Sequence, residues 1–561
     1  MKPTRAGSGK DAEQTSEQIA RTIEEFLAAH ERSVVAEEGR VLFDLRTAKY
    51  SLTTEHGRCT LQLWDGAQNI VRRLSAATMR GAGSAAALRL TAHRFGQARP
   101  GSLDILADRD RRTPSSREAV RTRYLKTLER AALRGTEDWG DWKIDGLRTA
   151  MDLEKSFGPA YARGSLFNGH QAWALIGVNQ EETQTTIDGV LTVGVLWLAH
   201  CRENAGGKRL YRGLRIIVPR GMAALTASRL AWMNPDAAQW ELWELDERTE
   251  ELAQRDAADH GNLATRLLHA PDEAAVRDRF ADAAARVMAL VRPDAHAVVE
   301  QRARSAAEMA FLLHGLEFAR VRIGYAGQSF NRQQEITFGA GANETPLTEG
   351  NAGALRDVVA RLCERRKALG PGENDDRKKE KRTASDPLYR MQPERWLESV
   401  LRRDVTVIDR HLDPRHVYTQ VAAFAASDRG MLDLLSVDRD GRLAVIELKA
   451  DDDLHLALQG LDYWIRVRWH HMQTADASGS PAFGLGEFQR HGYFPGVRLS
   501  PAAPKLYLVA PTLRIHPATE TVLRYLSPRV EWELVALNER WREEVKVVWR
   551  KRSRERSVDG S

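Results

Sequence analysis

The stretch G-M-L-D-L-L-S-V-D-R-D-G-R-L-A-V-I-E-L-K-A, Gly430 to Ala450, decides how the C-terminal part of this chain folds. Two apolar runs flank Asp440-Gly441, and a D-G pair between alternating runs is a strong β-hairpin signal. Strand side chains alternate between faces, so Val445, Glu447 and Lys449 share one side while Ile446 and Leu448 take the other. The hairpin brings Asp433, in the first run, beside Glu447 in the second. Adjacent carboxylates repel unless a positive charge lies between them. A hard divalent cation with oxygen ligands, Mg2+ or Mn2+, answers that need. Lys449 then lies next to the cation, placed to orient a water or to stabilise charge on a phosphate. Charges inside V-I-E-L-K, a run otherwise fit for a buried central strand, point to function rather than to framework.

Downstream, A-D-D-D-L-H-L-A-L-Q-G-L-D-Y-W (Ala450 to Trp464) sets Gln459 and Tyr463 four apart, on one helix face. Asp451, Asp452 and Asp453 read as N-cap and first-turn acids. His455, His470 and His471 read as helix-surface or groove residues, and Tyr463, Trp464 and Trp469 as core. Upstream, P-E-R-W-L-E-S-V-L (Pro393 to Leu401) reads as a helix with Leu397, Val400 and Leu401 inward and Glu398 beside them.

An acid on one hairpin strand, E-x-K on the next and Q-x-x-x-Y on the following helix together resemble the PD-(D/E)xK, or restriction-endonuclease-like, nuclease superfamily. The stretch from Pro393 to Tyr463 is most similar to the nuclease domains of NucS-type and RecB-type enzymes; Leu432 stands where the family has its usual Pro. The resemblance covers residues 385–545. It implies an α/β (mixed α+β) class with a C-terminal αβββαβ core. It implies cation ligation by Asp433, Glu447 and Glu398, catalysis by Asp433, Glu447 and Lys449, and support of the site or of the substrate backbone by Gln459 and Tyr463. The expected cofactor is Mg2+ (or Mn2+) and the expected partner DNA. The expected reaction is phosphodiester hydrolysis by in-line attack of a metal-activated water. A non-catalytic nucleic-acid-binding or assembly module on the same fold is the competing reading.

The chain also repeats itself. Leu214 to Arg248 (L-R-I-I-V-P … W-E-L-W-E-L-D-E-R) corresponds to Leu506 to Arg540 (L-Y-L-V-A-P … W-E-L-V-A-L-N-E-R) at one offset of 292 positions, without a gap. Upstream, Ile187 to Leu198 parallels Leu458 to Trp469, and Ala172 to Val178 parallels the E-L-K run. Ile176 then stands for Glu447, Val178 for Lys449 and Asp188 for Gln459. A second, degenerate nuclease-like copy is therefore expected in the N-terminal half, its frame kept and its charges gone. Glu154 matches Glu398 by position on a first helix, and one acid alone holds no cation.

With 561 residues, 42% hydrophobic and 29% charged, the composition is that of a soluble chain of several domains. No apolar run approaches membrane-spanning length, and the first ten residues lack the apolar segment of a signal peptide. Cys59, Cys201 and Cys363 lie far apart, without zinc spacing, which suits a reducing cytoplasm. No membrane partner is expected; a homodimer is a possible assembly. The net charge of +6 is mild, but basic runs at Arg377–Arg382 and Trp549–Arg556 flank the nuclease-like stretch and could meet phosphates.

The expected layout is a disordered tail at 1–15, a small β-rich domain with flanking helices at 16–135 and the degenerate copy at 136–255. A helical and mixed domain at 256–370, a linker at 371–387, the nuclease domain at 388–548 and a basic tail at 549–561 follow. Within 256–370 the pattern predicts helices at 272–291, 297–314 and 351–367 and strands at 317–324 and 334–339. The Gly339–Glu344 run lacks the Lys-Ser/Thr of a P-loop and reads as a turn.

Overall fold

A computed structural model gives the fold. It describes residues 14–553 except 31–32, 38–39, 46–47, 56, 65–68, 81–85, 94–100, 108–113, 135–141, 151–156, 257–265, 326–331, 340–343, 367–385, 426–427 and 473–485. Residues 1–13 of the expected tail, nearly all of the expected linker with Arg377–Arg382, most of the Gly339–Glu344 turn, and Glu154 lie outside the described residues. The class is α/β with several sheets, as expected. No helix among the described residues is long and apolar enough to cross a membrane.

The chain divides into two compact units, Met1–Arg123 and Tyr124–Ser561. In the first, helix Ser16–Ala29 packs Ile19, Ile23 and Phe26 onto a seven-stranded antiparallel sheet. Five strands run as a meander from Lys49–Glu55 to Gly101–Leu106, whose last member also pairs with Val34–Glu37. The alternation of R-C-T-L-Q-L-W puts Cys59, Leu61 and Leu63 into this core, as period two requires.

The second unit holds two sheets of one design. In the first copy the strands are β1 (Lys143–Arg148), β2 (Tyr161–Asn168), β3 (Gln171–Val178), β4 (Leu210–Pro219), β5 (Gln239–Asp246) and β6 (Glu251–Arg255). In the second they are β7 (Leu412–Ala425), β8 (Asp428–Asp438), β9 (Leu443–Leu448), β10 (Lys505–Pro511), β11 (Trp532–Leu537) and β12 (Val547–Arg552). Both sheets run in chain order, and the second gains the short strand Arg266–Leu267 beyond β7. In each copy the first three strands are antiparallel, the third, fourth and fifth parallel, and the sixth antiparallel. The register agrees too. Ile216 pairs with Ile176 and Leu242, while Leu508 pairs with Glu447 and Leu534.

Five helices complete the frame: α1 (Val190–Glu203) and α2 (Ala224–Leu230) in the first copy, α3 (Pro393–Arg403), α4 (Leu456–Met472) and α5 (Ala518–Arg524) in the second. The helix before β1 is Pro114–Arg134; its Tyr124 and Leu128 pack beneath β2, β3 and β5, so the first copy begins before residue 136.

The two copies meet through a two-fold contact. Met233 bridges Leu526 antiparallel, with Asn234 N–H donating to Tyr525 O and Ser527 N–H donating to Trp232 O, both at 2.8 Å. An offset of 293 carries Met233 to Leu526 and each of these hydrogen bonds into the other. The turns that follow match as well: Asp236 N–H donates to Asn234 Oδ1 at 3.0 Å, and Arg529 N–H to Ser527 Oγ at 3.3 Å. The gap-free alignment is thus corrected. The offset is 292 at Leu214 and again at Trp240, and 293 between them, because the turns set the match there rather than the strands. Across the contact α1 packs on α5 and α4 on α2, and Arg229 of α2 binds Asp462 of α4 at 2.7 Å.

Between the copies a five-stranded antiparallel sheet carries helices Glu273–Arg279, Ala281–Met288 and Ala352–Arg365. The expected helix at 297–314 is instead the hairpin Val299–Ser305 and Glu308–Leu313. Its Ala, Arg and Glu content favours a helix, but Met309, Phe311 and Leu313 fill the core as Glu308–Leu313 pairs on both sides, and that burial outweighs propensity. The expected basic tail is likewise corrected. Trp549–Arg552 belongs to β12, where Arg550 and Arg552 bind the fully buried Glu533 of β11.

Candidate active site

Strand β9 is buried at every position from Leu443 to Leu448. Ile446 and Leu448 pack with α3 residues Trp396, Leu397 and Leu401; Val445 packs on the opposite side with α4 residues Leu458 and Leu461. The alternation expected from the sequence is therefore present. The connecting turn is longer than two residues: Asp438 N–H donates to Arg442 O, and Asp438 Oδ1 accepts from Asp440 and Arg442. Gly441 has φ +83°, and a Cβ there would fall 2.1 Å from Arg498 O, so only glycine serves.

The hairpin pairs Val437 with Leu443 and, at its far end, Leu434 with Ile446. One step further Asp433 comes level with Glu447. There the Asp433 carboxylate takes the place of a ladder carbonyl, accepting the Leu448 N–H at 2.9 Å. Lys449 Nζ lies 3.4 Å from Glu447 Oε1 and 3.7 Å from both Glu394 Oε1 and Asp453 Oδ2. Asp453 also accepts the His455 N–H in the turn ahead of α4.

The electrostatics follow from this crowding. Burial, reinforced by Glu398 and Glu394, pushes Asp433 up to about 6, against the lowering from its Leu448 hydrogen bond. Burial, then the nearby Asp433, drives Glu447 well above the usual carboxylate range. Burial alone would lower Lys449, but Glu447, Glu394, Asp453 and Asp433 outweigh it and hold the ammonium above its ordinary value. Among the described residues Glu447 Oε2 is buried without a hydrogen-bond partner.

Helix α4 closes one side. Gly460 lets it approach so far that a Cβ there would sit 3.6 Å from the Glu447 Cβ and 2.4 Å from Leu508. Tyr463 is held above its ordinary value by burial and then by the nearby Glu447 and Asp433. Gln459 keeps a buried side-chain oxygen without a partner among the described residues. Trp464 is fully buried, while Trp469 is exposed rather than core. His470 is buried against Glu487 at 2.9 Å rather than exposed on the helix surface, one of the two places expected for it.

The other side is a cavity of about 260 Å3 lined by Gln392, Pro393, Glu394, Arg395, Gln420, Met431 and Asp433. Glu398, the helix acid chosen from the sequence, is already engaged. Arg302 binds its Oε1 at 2.8 Å, and Arg395 and Gln420 bind its Oε2 at 3.0 and 2.7 Å. Its role as a ligand gives way to that of an anchor between α3 and the middle sheet, because a buried carboxylate with a buried guanidinium has its charge met. Glu394, one turn earlier on the same face, is the α3 acid that reaches Lys449. Its place in P-E-R-W-L-E was visible in the sequence; that of Gln420 was not. Gln420 sits between Thr419, paired with Leu434, and Val421, paired with Leu432, and has φ +54°. Gln392 has φ +47°, so two non-glycine residues in the left-handed region line this one cavity.

In the first copy, Arg163 pairs with Ile176 and so stands where Asp433 stands in the second. It is fully buried, donates to Ala150 O, to Gly158 O at 2.9 Å and to Tyr161 O at 3.3 Å, and lies over Phe157. Ile176 and Val178 take the places of Glu447 and Lys449, as the repeat implies.

No protein-family model matches the chain, and no curated protein matches it.

Proposed function

We propose that the second copy is a Mg2+- or Mn2+-dependent endonuclease that hydrolyses phosphodiester bonds of DNA, acting in the cytoplasm. One observation carries the reading: Glu447 sits on a wholly buried strand beside Asp433 and Lys449, with one carboxylate oxygen unpartnered among the described residues. A buried acid left in that state is costly unless something positive completes it. Asp433 and Glu447 would hold the cation, its remaining positions filled by water, as suits Mg2+. Bound there, it would lower the pKa of a coordinated water and offset charge on the phosphate.

The chain's own groups do the rest. Lys449, kept protonated by four carboxylates, donates to the attacking water or to a phosphate oxygen. Tyr463 and Gln459 bound the space on the α4 side, and the cavity beside Glu394 and Gln420 gives access to Asp433. The test is cleavage of labelled linear, branched, mismatched and single-stranded substrates, together with a Mg2+-dependent thermal shift that Glu447→Ala removes. A non-catalytic nucleic-acid-binding module is the second reading. It is favoured by one observation: among the described residues no group of three His, Cys, Asp or Glu is placed to hold a metal. Absence of both cleavage and metal shift, with binding of the labelled substrates retained, would favour it.

A further inference from the structure

We infer that the chain cuts one strand of duplex DNA per encounter, because the first copy occupies, within the same polypeptide, the place of a second nuclease subunit. This rests on the endonuclease reading of the second copy.

The contact between the copies has the property that defines an isologous interface. The Asn234–Tyr525 and Ser527–Trp232 hydrogen bonds exchange when each residue is replaced by its counterpart in the other copy, and the Met233–Leu526 bridge maps onto itself. A head-to-tail contact between repeats would map such a bond elsewhere. The helix packing obeys the same exchange, α1 on α5 and α4 on α2.

The axis also sets corresponding ends of the sheets side by side. His455, six residues beyond Lys449, places Nδ1 3.0 Å from Thr192 Oγ1 at the start of α1. A Cβ on Gly189, the residue before α1, would fall 2.8 Å from the His455 ring. The segment leaving β9 with Glu447 and Lys449 therefore meets the segment leaving β3 with Ile176 and Val178.

Duplex DNA carries dyads that exchange its strands, and a two-fold protein presents equivalent surfaces to both. Here the surfaces are equivalent in frame and unlike in chemistry. One end has Asp433, Glu447 and Lys449; the other has Arg163, Ile176 and Val178. Arg163 is turned inward onto carbonyls of its own copy, and Ile176 offers a cation nothing. The bond to phosphorus therefore breaks on one strand, water supplying the new oxygen and the leaving oxygen taking the proton. The opposite strand is held and spared.

The full chain with Mg2+ or Mn2+ on excess supercoiled plasmid tests this, alongside a duplex with a different label on each strand. Open circles should accumulate to near completion before linear DNA appears, and admixed Glu447→Ala chain should leave the rate of nicking unchanged. Linear DNA formed in step with open circles, or cutting suppressed by the inactive chain, would overturn the inference and leave the nuclease reading standing. Cleavage confined to single strands would do the same. No cleavage of any substrate removes the nuclease reading, and this inference with it.

Discussion

The two copies in the second unit share strand order, strand direction and register, yet at three matched positions one has Asp433, Glu447 and Lys449 and the other Arg163, Ile176 and Val178. The sheet forms with either set. Ile176 fits a buried central strand as apolar packing prefers, whereas Glu447 at the same register brings an acid that burial pushes far above its usual range. The comparison separates what the frame needs from what it tolerates. The apolar runs are needed. The charges are carried by the second copy at a cost in stability that the first copy does not bear.

The widest gap between the copies should appear in catalysis. Lys449→Ala is expected to lower cleavage by about 10²–10³, roughly 3–4 kcal/mol, because it removes a charge used in the transition state. Cation and DNA binding should persist, whereas Glu447→Ala should lose the cation as well. Cleavage by Lys449→Ala at the parent rate under saturating Mg2+ would make the lysine structural and bring the two copies closer in kind.

The next effect is in stability and on the opposite copy. Arg163→Ala should cost ~2–4 kcal/mol in denaturant unfolding, since several buried carbonyls lose a charged donor. Cleavage per folded molecule should be unchanged. A loss below 0.5 kcal/mol, within the ordinary scatter of surface substitutions, would show that Arg163 contributes little to the first copy's stability.

A pH experiment sharpens the contrast further. Asp433 is pushed up from its ordinary 3.8 to about 6, so the folded chain binds a proton that the unfolded chain has released between those values. Stability therefore falls as pH rises from about 4 to about 6 in the absence of cation. Asp433→Asn should lessen that fall, the remainder coming from Glu447, which burial also holds above its usual range, and gain ~1–3 kcal/mol at neutral pH, read from unfolding curves at pH 4 and pH 7. Cation affinity should move the other way, weakening as pH drops through about 6. A pH slope that Asp433→Asn leaves untouched would mean another group carries it.

The smallest effect separates the two acids of α3. Glu398→Gln should cost ~1–2 kcal/mol of stability by weakening its hold on Arg302, with cleavage little changed. Glu394→Gln should leave stability nearly alone and alter the rate. The reverse pattern would return Glu398 to the cation.

What could be read in advance follows the range of the interactions involved. The hairpin, the E-x-K pair, the α4 spacing of Gln459 and Tyr463, and the substitution of Ile176 for Glu447 are all written in neighbouring residues or in a repeat. The engagement of Glu398 is not legible locally because its partner Arg302 arrives from a sheet 96 residues away. Gln420 escaped notice because its left-handed backbone arises where β7 meets β8. Arg163 is not legible in the repeat because the repeat begins at β3 and does not reach β2. The hairpin taken for a helix at 297–314 failed for the same reason, since pairing with Leu316–Tyr325 decides it.

The two-fold contact has a consequence for how such a molecule can change. In a pair of identical subunits every substitution is made twice, so a difference such as Ile176 against Glu447 cannot arise between the halves. Joining the halves removes that constraint: each can drift alone while the other keeps its role. It also frees the contact from concentration. A tethered partner is always present at high effective concentration, so the contact around Met233 and Leu526, with the α1–α5 and α4–α2 packing beside it, does not have to assemble two separate chains.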